Sequence, residues 1–373
     1  MGRPVDLPAE VLSLLIHAGL EDDSDNQTLL SSSLVCKAWR QEAQNILFIE
    51  RSRLRNQENI KSWCIAAGRY AIKRVVVEHF DSMDFGFEPG TFTRPTAEDF
   101  MKLLDALGSS LSSLEIQISL LSEGVLLHPA LQELKSLRLE LIVEDTCPSL
   151  PIASPLPFSL NSLHLHFQPE PEGDQDDDYT HFQTHCLILL LETLQPSLSH
   201  ATELKIYIEL EYEGTTPYPE GLSEGVGNLI RATSATLERL DLQCVDYHPY
   251  INESLSSLTS LIKIVDRPRW EDDFRGGGNE QDIQLRLLAL PPSLKVFYQD
   301  VMEPDEEYEA LIIQKKVFFE MMLEDDGFLP MLEEVALTTD FEGKWTEKEE
   351  EEIKELIRRR SGIRFVEISE VWC

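Results

Sequence analysis

With 373 residues, 42% hydrophobic and 27% charged, the chain has a globular composition and enough length for two domains or a repeat array. Its 67 acids against 32 bases give a formal net charge of −35. A field of that sign repels phosphate backbones and anionic lipid surfaces, which excludes nucleic acid and membrane as partners held by overall charge.

The first predicted element lies in "VDLPAEVLSLLIHAGL". Pro8 suits the first turn of a helix, where a missing N–H costs nothing, and Glu10 favours the positive end of the helix dipole. From Val11 to Ile16 all but Ser13 are apolar, so this helix is apolar over more than one face. The polar "EDDSDNQ" breaks the pattern, and "TLLSSSL" starts a second short helix or turn. In "SLVCKAWRQEAQNILF" the residues Val35, Ala38, Trp39, Ala43, Ile46 and Leu47 recur at helical spacing, with Lys37, Arg40, Gln41, Gln44 and Asn45 opposite. Taken alone, that third stripe is an ordinary core helix. Taken together, the three segments carry more apolar surface than about fifty residues can bury among themselves. The surplus must meet the following domain or another protein.

In order, Leu7-Pro8, Glu10, the apolar helix Val11 to Ile16, Leu34-Val35-Cys36-Lys37, Trp39 and Leu47-Phe48 resemble the F-box, over roughly residues 5 to 50. The acidic gap from Glu21 to Asn26 is longer than the family pattern but leaves the apolar positions untouched. The resemblance implies a three-helix module at 1–50 that docks on a Skp-family adaptor, itself held by a cullin. Carried over from that match, the adaptor-binding residues are Leu7, Pro8, Val11, Leu15, Leu34, Val35 and Trp39.

Past residue 65 a phrase recurs: apolar, two residues, apolar, one residue, apolar. It falls at Ile72-Val75-Val77, Leu111-Leu114-Ile116, Leu134-Leu137-Leu139, Leu160-Leu163-Leu165, Leu237-Leu240-Leu242, Leu332-Val335-Leu337 and Ile363-Val366-Ile368. Looser copies centre on Leu204 to Ile208, Leu261 to Ile264 and Leu294 to Tyr298. The alternation within each phrase predicts a strand. "TAEDFMKLLDALG", "HCLILLLETL", "EGVGNLIRATS" and "EALIIQKKVFFEMML" predict helices between copies, the first with Thr96 as cap, Asp99 three residues on, and Gly108 at the stop. Strand, helix and parallel return is the logic of a solenoid. The segment 51–373 resembles a divergent leucine-rich-repeat array with irregular spacing. The predicted fold class is therefore α/β, a three-helix F-box followed by an irregular solenoid with a parallel sheet. Pro169 to Asp178 and Arg275 to Asn279 read as solvated loops. "TEKEEEEIKELIRRRSG" reads as a capped helix whose Arg358 to Arg360 complement the dipole.

Catalytic signals are sparse. His181 and His185 share a helical face beside Cys186, but lack the Glu of a zinc-protease motif. "RGGGNEQD" lacks the Lys-Ser/Thr of a phosphate loop, and no GxSxG elbow is present. The six cysteines show neither a CxxC pair nor zinc spacing, which suits single buried thiols in a reducing compartment. With no secretory leader pattern and no apolar run near roughly 18 residues, a cytoplasmic or nuclear protein is expected, without metal or other cofactor.

F-box followed by leucine-rich repeats is a familiar architecture, common among fungal F-box proteins. By that resemblance the chain is not an enzyme but the substrate-receptor subunit of an SCF-type ubiquitin ligase. The adaptor and, through it, a cullin sit at one end, and a protein substrate sits on the repeats. An F-box protein that holds the adaptor without degrading anything, and a metal-dependent hydrolase on a repeat scaffold, are the competing readings. Residues between the core leucines point away from the core, so the substrate-binding set is expected to include Arg138, His164, Lys205, Tyr207 and Asp241.

Overall fold

The computed structural model describes residues 39–40, 43–44, 46, 52–54, 57–67, 72–77, 95–109, 111–117, 120–141, 154–167, 177–208, 220–243, 249–267, 280–299, 317–322, 325, 327–337, 355 and 363–367. The chain divides into two compact units, Met1–Leu139 with Ser154–Phe158, and Glu140–Ala153 with Ser159–Cys373.

The first unit contains β1 (Ser52–Leu54), β2 (Arg74–Val77), β3 (Ser113–Gln117) and the start of β4 (Ser136–Leu141). β1 runs parallel to β2 with Leu54 opposite Val77, and β2 parallel to β3 with Val75 opposite Leu114. Parallel neighbours need a crossover, and the helices Gln57–Ala67, Ala97–Leu107 and Glu123–Leu126 supply it. The Ala97–Leu107 helix starts where it does because Thr96 and Asp99 form a reciprocal cap. The Asp99 amide donates to the Thr96 hydroxyl oxygen (3.2 Å), and the Thr96 amide donates to the Asp99 carboxylate (3.3 Å). It buries Phe100, Leu103, Leu104 and Leu107, then stops at Gly108, whose φ of +63° is open to glycine.

The second unit contains β5 (Ser162–Phe167), β6 (Glu203–Ile208), β7 (Arg239–Gln243), β8 (Lys263–Arg267), β9 (Val296–Gln299), β10 (Glu334–Leu337) and β11 (Arg364–Glu367). Each is parallel to the next, and spatial order follows chain order. The helices Asp177–Leu194, Glu220–Ala232, Pro249–Ser256 and Glu280–Leu288 lie between consecutive strands. Two of them approach closely at Gly227: a Cβ there would lie 3.0 Å from both the Tyr250 carbonyl and the Ser254 hydroxyl.

One backbone device opens strand after strand. In the second unit the amides of Thr202 and Glu203 both donate to the Asn161 carbonyl. Those of Glu238 and Arg239 donate to Thr202, Ile262 and Lys263 to Glu238, Lys295 and Val296 to Ile262, and Glu333 and Glu334 to Lys295. Ser112 and Ser113 do the same to Lys73 in the first unit, and Lys135 and Ser136 to Ser112. Repetition of one hydrogen-bonded turn, with one strand gained per turn, defines a leucine-rich-repeat-like array. The recurring phrase is its core: Ile72, Leu111, Leu134, Leu160, Leu237, Leu261 and Leu294 are all fully buried, and the first inward strand residue after each (Val75, Leu114, Leu137, Leu163, Leu240, Ile264 and Phe297) is buried too.

Some readings of the sequence need correction. β1 precedes the first copy of the phrase. The last copy is out of step by one residue: β11 sets Phe365, not Val366, opposite Val335, and a slip of one exchanges the two faces of a strand. Asp177 and Asp178 belong to a helix rather than a loop. Cys186 is buried and disulfide-bonded rather than a single thiol, its partner lying outside the described residues.

Candidate interaction face

Parallel pairing at one register makes rows of side chains that cross the strands. In the second unit Leu163, Leu204, Leu240, Ile264, Phe297 and Val335 form one row by successive pairing. All are buried on the side that meets the helices. The next row on that side begins Leu165, Ile206, Leu242 and then turns polar at Asp266 and Gln299. Asp266 and Arg286, from the Glu280–Leu288 helix, are each 1% exposed. The guanidinium grips the carboxylate with two bonds, Nε to Oδ2 at 3.2 Å and NH2 to Oδ1 at 3.0 Å, and gives a third to Asn252 at 3.3 Å. A buried charge is tolerated only when paired and hydrogen-bonded in this way.

The opposite face carries the polar rows. One runs Ser162, Glu203, Arg239, Lys263, Val296, Glu334 and Arg364; the next runs His164, Lys205, Asp241, Val265, Tyr298 and Ala336. His164, Lys205, Tyr207 and Asp241 therefore share one face of β5 to β7, each half-buried. Lys205 stands 3.6 Å from Glu203, Asp241 accepts a hydrogen bond from Gln243 (3.1 Å), and Tyr207 meets His166 edge-on with ring centroids 4.7 Å apart. Arg138 belongs to the first unit. There it and Arg74 flank Glu115 at 3.6 and 3.7 Å, so it is an arginine held by a carboxylate rather than a loose anchor.

Arg239 and Lys263, directly opposite each other on β7 and β8, were not apparent from the phrase alone. Arg239 is exposed. The Lys263 ammonium sits 4.2 Å above the Tyr298 ring, a cation–π contact. Burial pushes its pKa down. Glu334 and Asp241 oppose that shift, while Arg239 and Lys205 add to it. Tyr298 donates to Glu334, and burial together with that carboxylate pushes its pKa up to about 12. Around Tyr298 this face changes character: Val265, Tyr298 and Ala336 form a buried apolar cluster with Val296 packed against it.

Of the residues expected to bind an adaptor, Trp39 is helical and half-buried, and Ala43 and Ile46 further along are buried. Leu7, Pro8, Val11, Leu15, Leu34 and Val35 lie outside the described residues. His185 is exposed on the Asp177–Leu194 helix. Among the described residues no three His, Cys, Asp or Glu side chains converge as a metal site, and no helix is long and apolar enough to cross a membrane.

No protein-family model matches the chain, and no curated protein matches it. Among solved structures it is similar to the leucine-rich repeat-containing protein LegL7 from Legionella pneumophila, at 13% identity and a TM-score of 0.36, over 82% of this chain and 77% of that one.

Proposed function

We propose that the chain is a substrate-receptor subunit of an SCF-type ubiquitin ligase. In this reading residues 1–50 bind a Skp-family adaptor and through it a cullin, the strand array binds a protein substrate, and ubiquitin transfer is left to other subunits. The observation that carries the reading is the ordered run of F-box residues from Leu7 to Phe48. It is supported by a following domain whose strands turn one face to the helices and the other, over β5 to β7, to polar half-exposed side chains.

Binding of the full chain to a Skp-type adaptor, measured by titration calorimetry, tests it. Leu7→Ala with Pro8→Ala weakens that binding while circular dichroism stays unchanged. A double variant that binds like the parent removes the F-box assignment. The hydrolase alternative is tested by elemental analysis: about one zinc per chain, lost in His181→Ala, would favour it.

A further inference from the structure

The charge on the polar face of β6 to β8 runs against that of the whole molecule. Arg239 and Lys263 are neighbours in one row, and Lys205 stands one step away in the next. In a chain with 67 acids and 32 bases, a basic residue finds a carboxylate easily. Yet among the described residues no carboxylate lies within ion-pair distance of Arg239 or Lys263. The acids nearby are otherwise engaged: Glu203 by Lys205 at 3.6 Å and the Ser162 hydroxyl at 3.4 Å, Asp241 by Gln243, and Glu334 by Tyr298 and Arg364. Adjacent strands are about 4.8 Å apart, so Arg239 stands between Glu203 and Lys263 in its row; Glu203, Asp241 and Glu334 offset the repulsion between the two cations at longer range, but none closes an ion pair with either.

We propose that Arg239 and Lys263, with Lys205 beside them, bind an acidic segment of the partner protein. This names the substrate class for the receptor reading above and rests on it for its biological setting. Tyr207 and His166 set the remaining chemistry. Their edge-on pair lies on the same face, four residues further along the strands than the row of Ser162, Glu203 and Arg239, with Tyr207 one strand and His166 two strands over from Arg239. An extended peptide repeats a given side about every 6.6 to 7 Å. A carboxylate on the Arg239–Lys263 pair therefore brings the same-side residue two repeats further on, about 13 to 14 Å away, within reach of the two rings, and an apolar side chain fits there. That alternation distinguishes a peptide from a polyphosphate, whose unbroken negative charge meets the field of the whole chain.

The test uses the purified full chain with no adaptor, so its outcome is independent of the F-box. The probe is a short fluorescein-labelled peptide of glutamates interspersed with leucine and glycine, followed by anisotropy. Salt is held near 0.15 M, where screening within about 8 Å suppresses long-range repulsion but leaves direct contacts. The glutamate peptide binds, and its version with every glutamate replaced by glutamine binds at least about tenfold more weakly. Arg239→Glu with Lys263→Glu lowers affinity by about tenfold or more, Arg239→Gln with Lys263→Gln falls between, and Lys135→Glu leaves it unchanged. Circular dichroism confirms that each variant is folded. Equal binding of the two peptides, or charge reversal without effect, overturns the proposal. So does tighter binding of a single-stranded DNA oligonucleotide than of the glutamate peptide.

Discussion

β5 to β7 and β8 to β10 share one topology and one register, and one turn device opens β6 to β10, yet the two groups distribute polarity in opposite ways. In the first group the helix side is aliphatic in both rows, and the far side holds half-exposed His164, Lys205 and Asp241. In the second the helix side accepts Asp266 and Gln299, while the far side buries Val265, Tyr298 and Ala336. The repeat therefore fixes backbone and register, and the residues at each register position decide separately what is buried. A charge enters the helix-side core only where a second element brings its partner.

Placing a charge where no partner exists breaks this contrast most severely. Leu242 is the register neighbour of Asp266. Leu242→Asp loses a buried leucine and adds a buried, unpaired acid, at a cost of about 5 kcal/mol or more. Chemical denaturation should find this variant unfolded or nearly so. Removing the partner that does exist is the next largest effect. Asp266→Ala strands the buried Arg286 and destabilises by about 3 to 5 kcal/mol, whereas Asp266→Leu with Arg286→Met is near neutral or stabilising. If the double variant is as unstable as the single, the pair contributes more than mutual compensation.

The alternating apolar phrase made most strands and their buried residues legible, because burial on one face imposes a period of two that survives irregular spacing. Thr96, Asp99 and Gly108 were readable for the same kind of local reason: a cap is made by neighbours in sequence. The Asp266–Arg286 pair was not. Its members are 20 residues apart on different elements, and Asp266 is one acid among 67 acidic residues. The engagement of Arg138 by Glu115, and the pairing of Arg239 with Lys263, depend on register between strands, which the phrase locates only where its copies are well formed. In β11 the phrase was misplaced by one position, and register alone corrected it.

The smallest effect sharpens the far side of β8 to β10. Tyr298 has its pKa raised from 10.0 to about 12, so the folded state retains this proton longer than the unfolded state. Its contribution to stability is complete below pH 10 and is lost as pH rises toward 12. Tyr298→Phe removes the hydrogen bond to Glu334 at a cost of about 1 kcal/mol at neutral pH. It also flattens the fall in stability over that alkaline window. Unfolding curves of equal slope in the two proteins between pH 10 and 12 would contradict the burial and hydrogen bond assigned to this phenol.

The most direct measurement of the central claim is co-elution of the full chain with a purified Skp-type adaptor and cullin on size exclusion. The account predicts one stoichiometric ternary peak, lost in the Leu7→Ala, Pro8→Ala variant, whose second unit remains folded. Elution of the parent chain apart from both proteins would contradict the F-box reading. Elution with the adaptor but never with the cullin would contradict a role in a ligase.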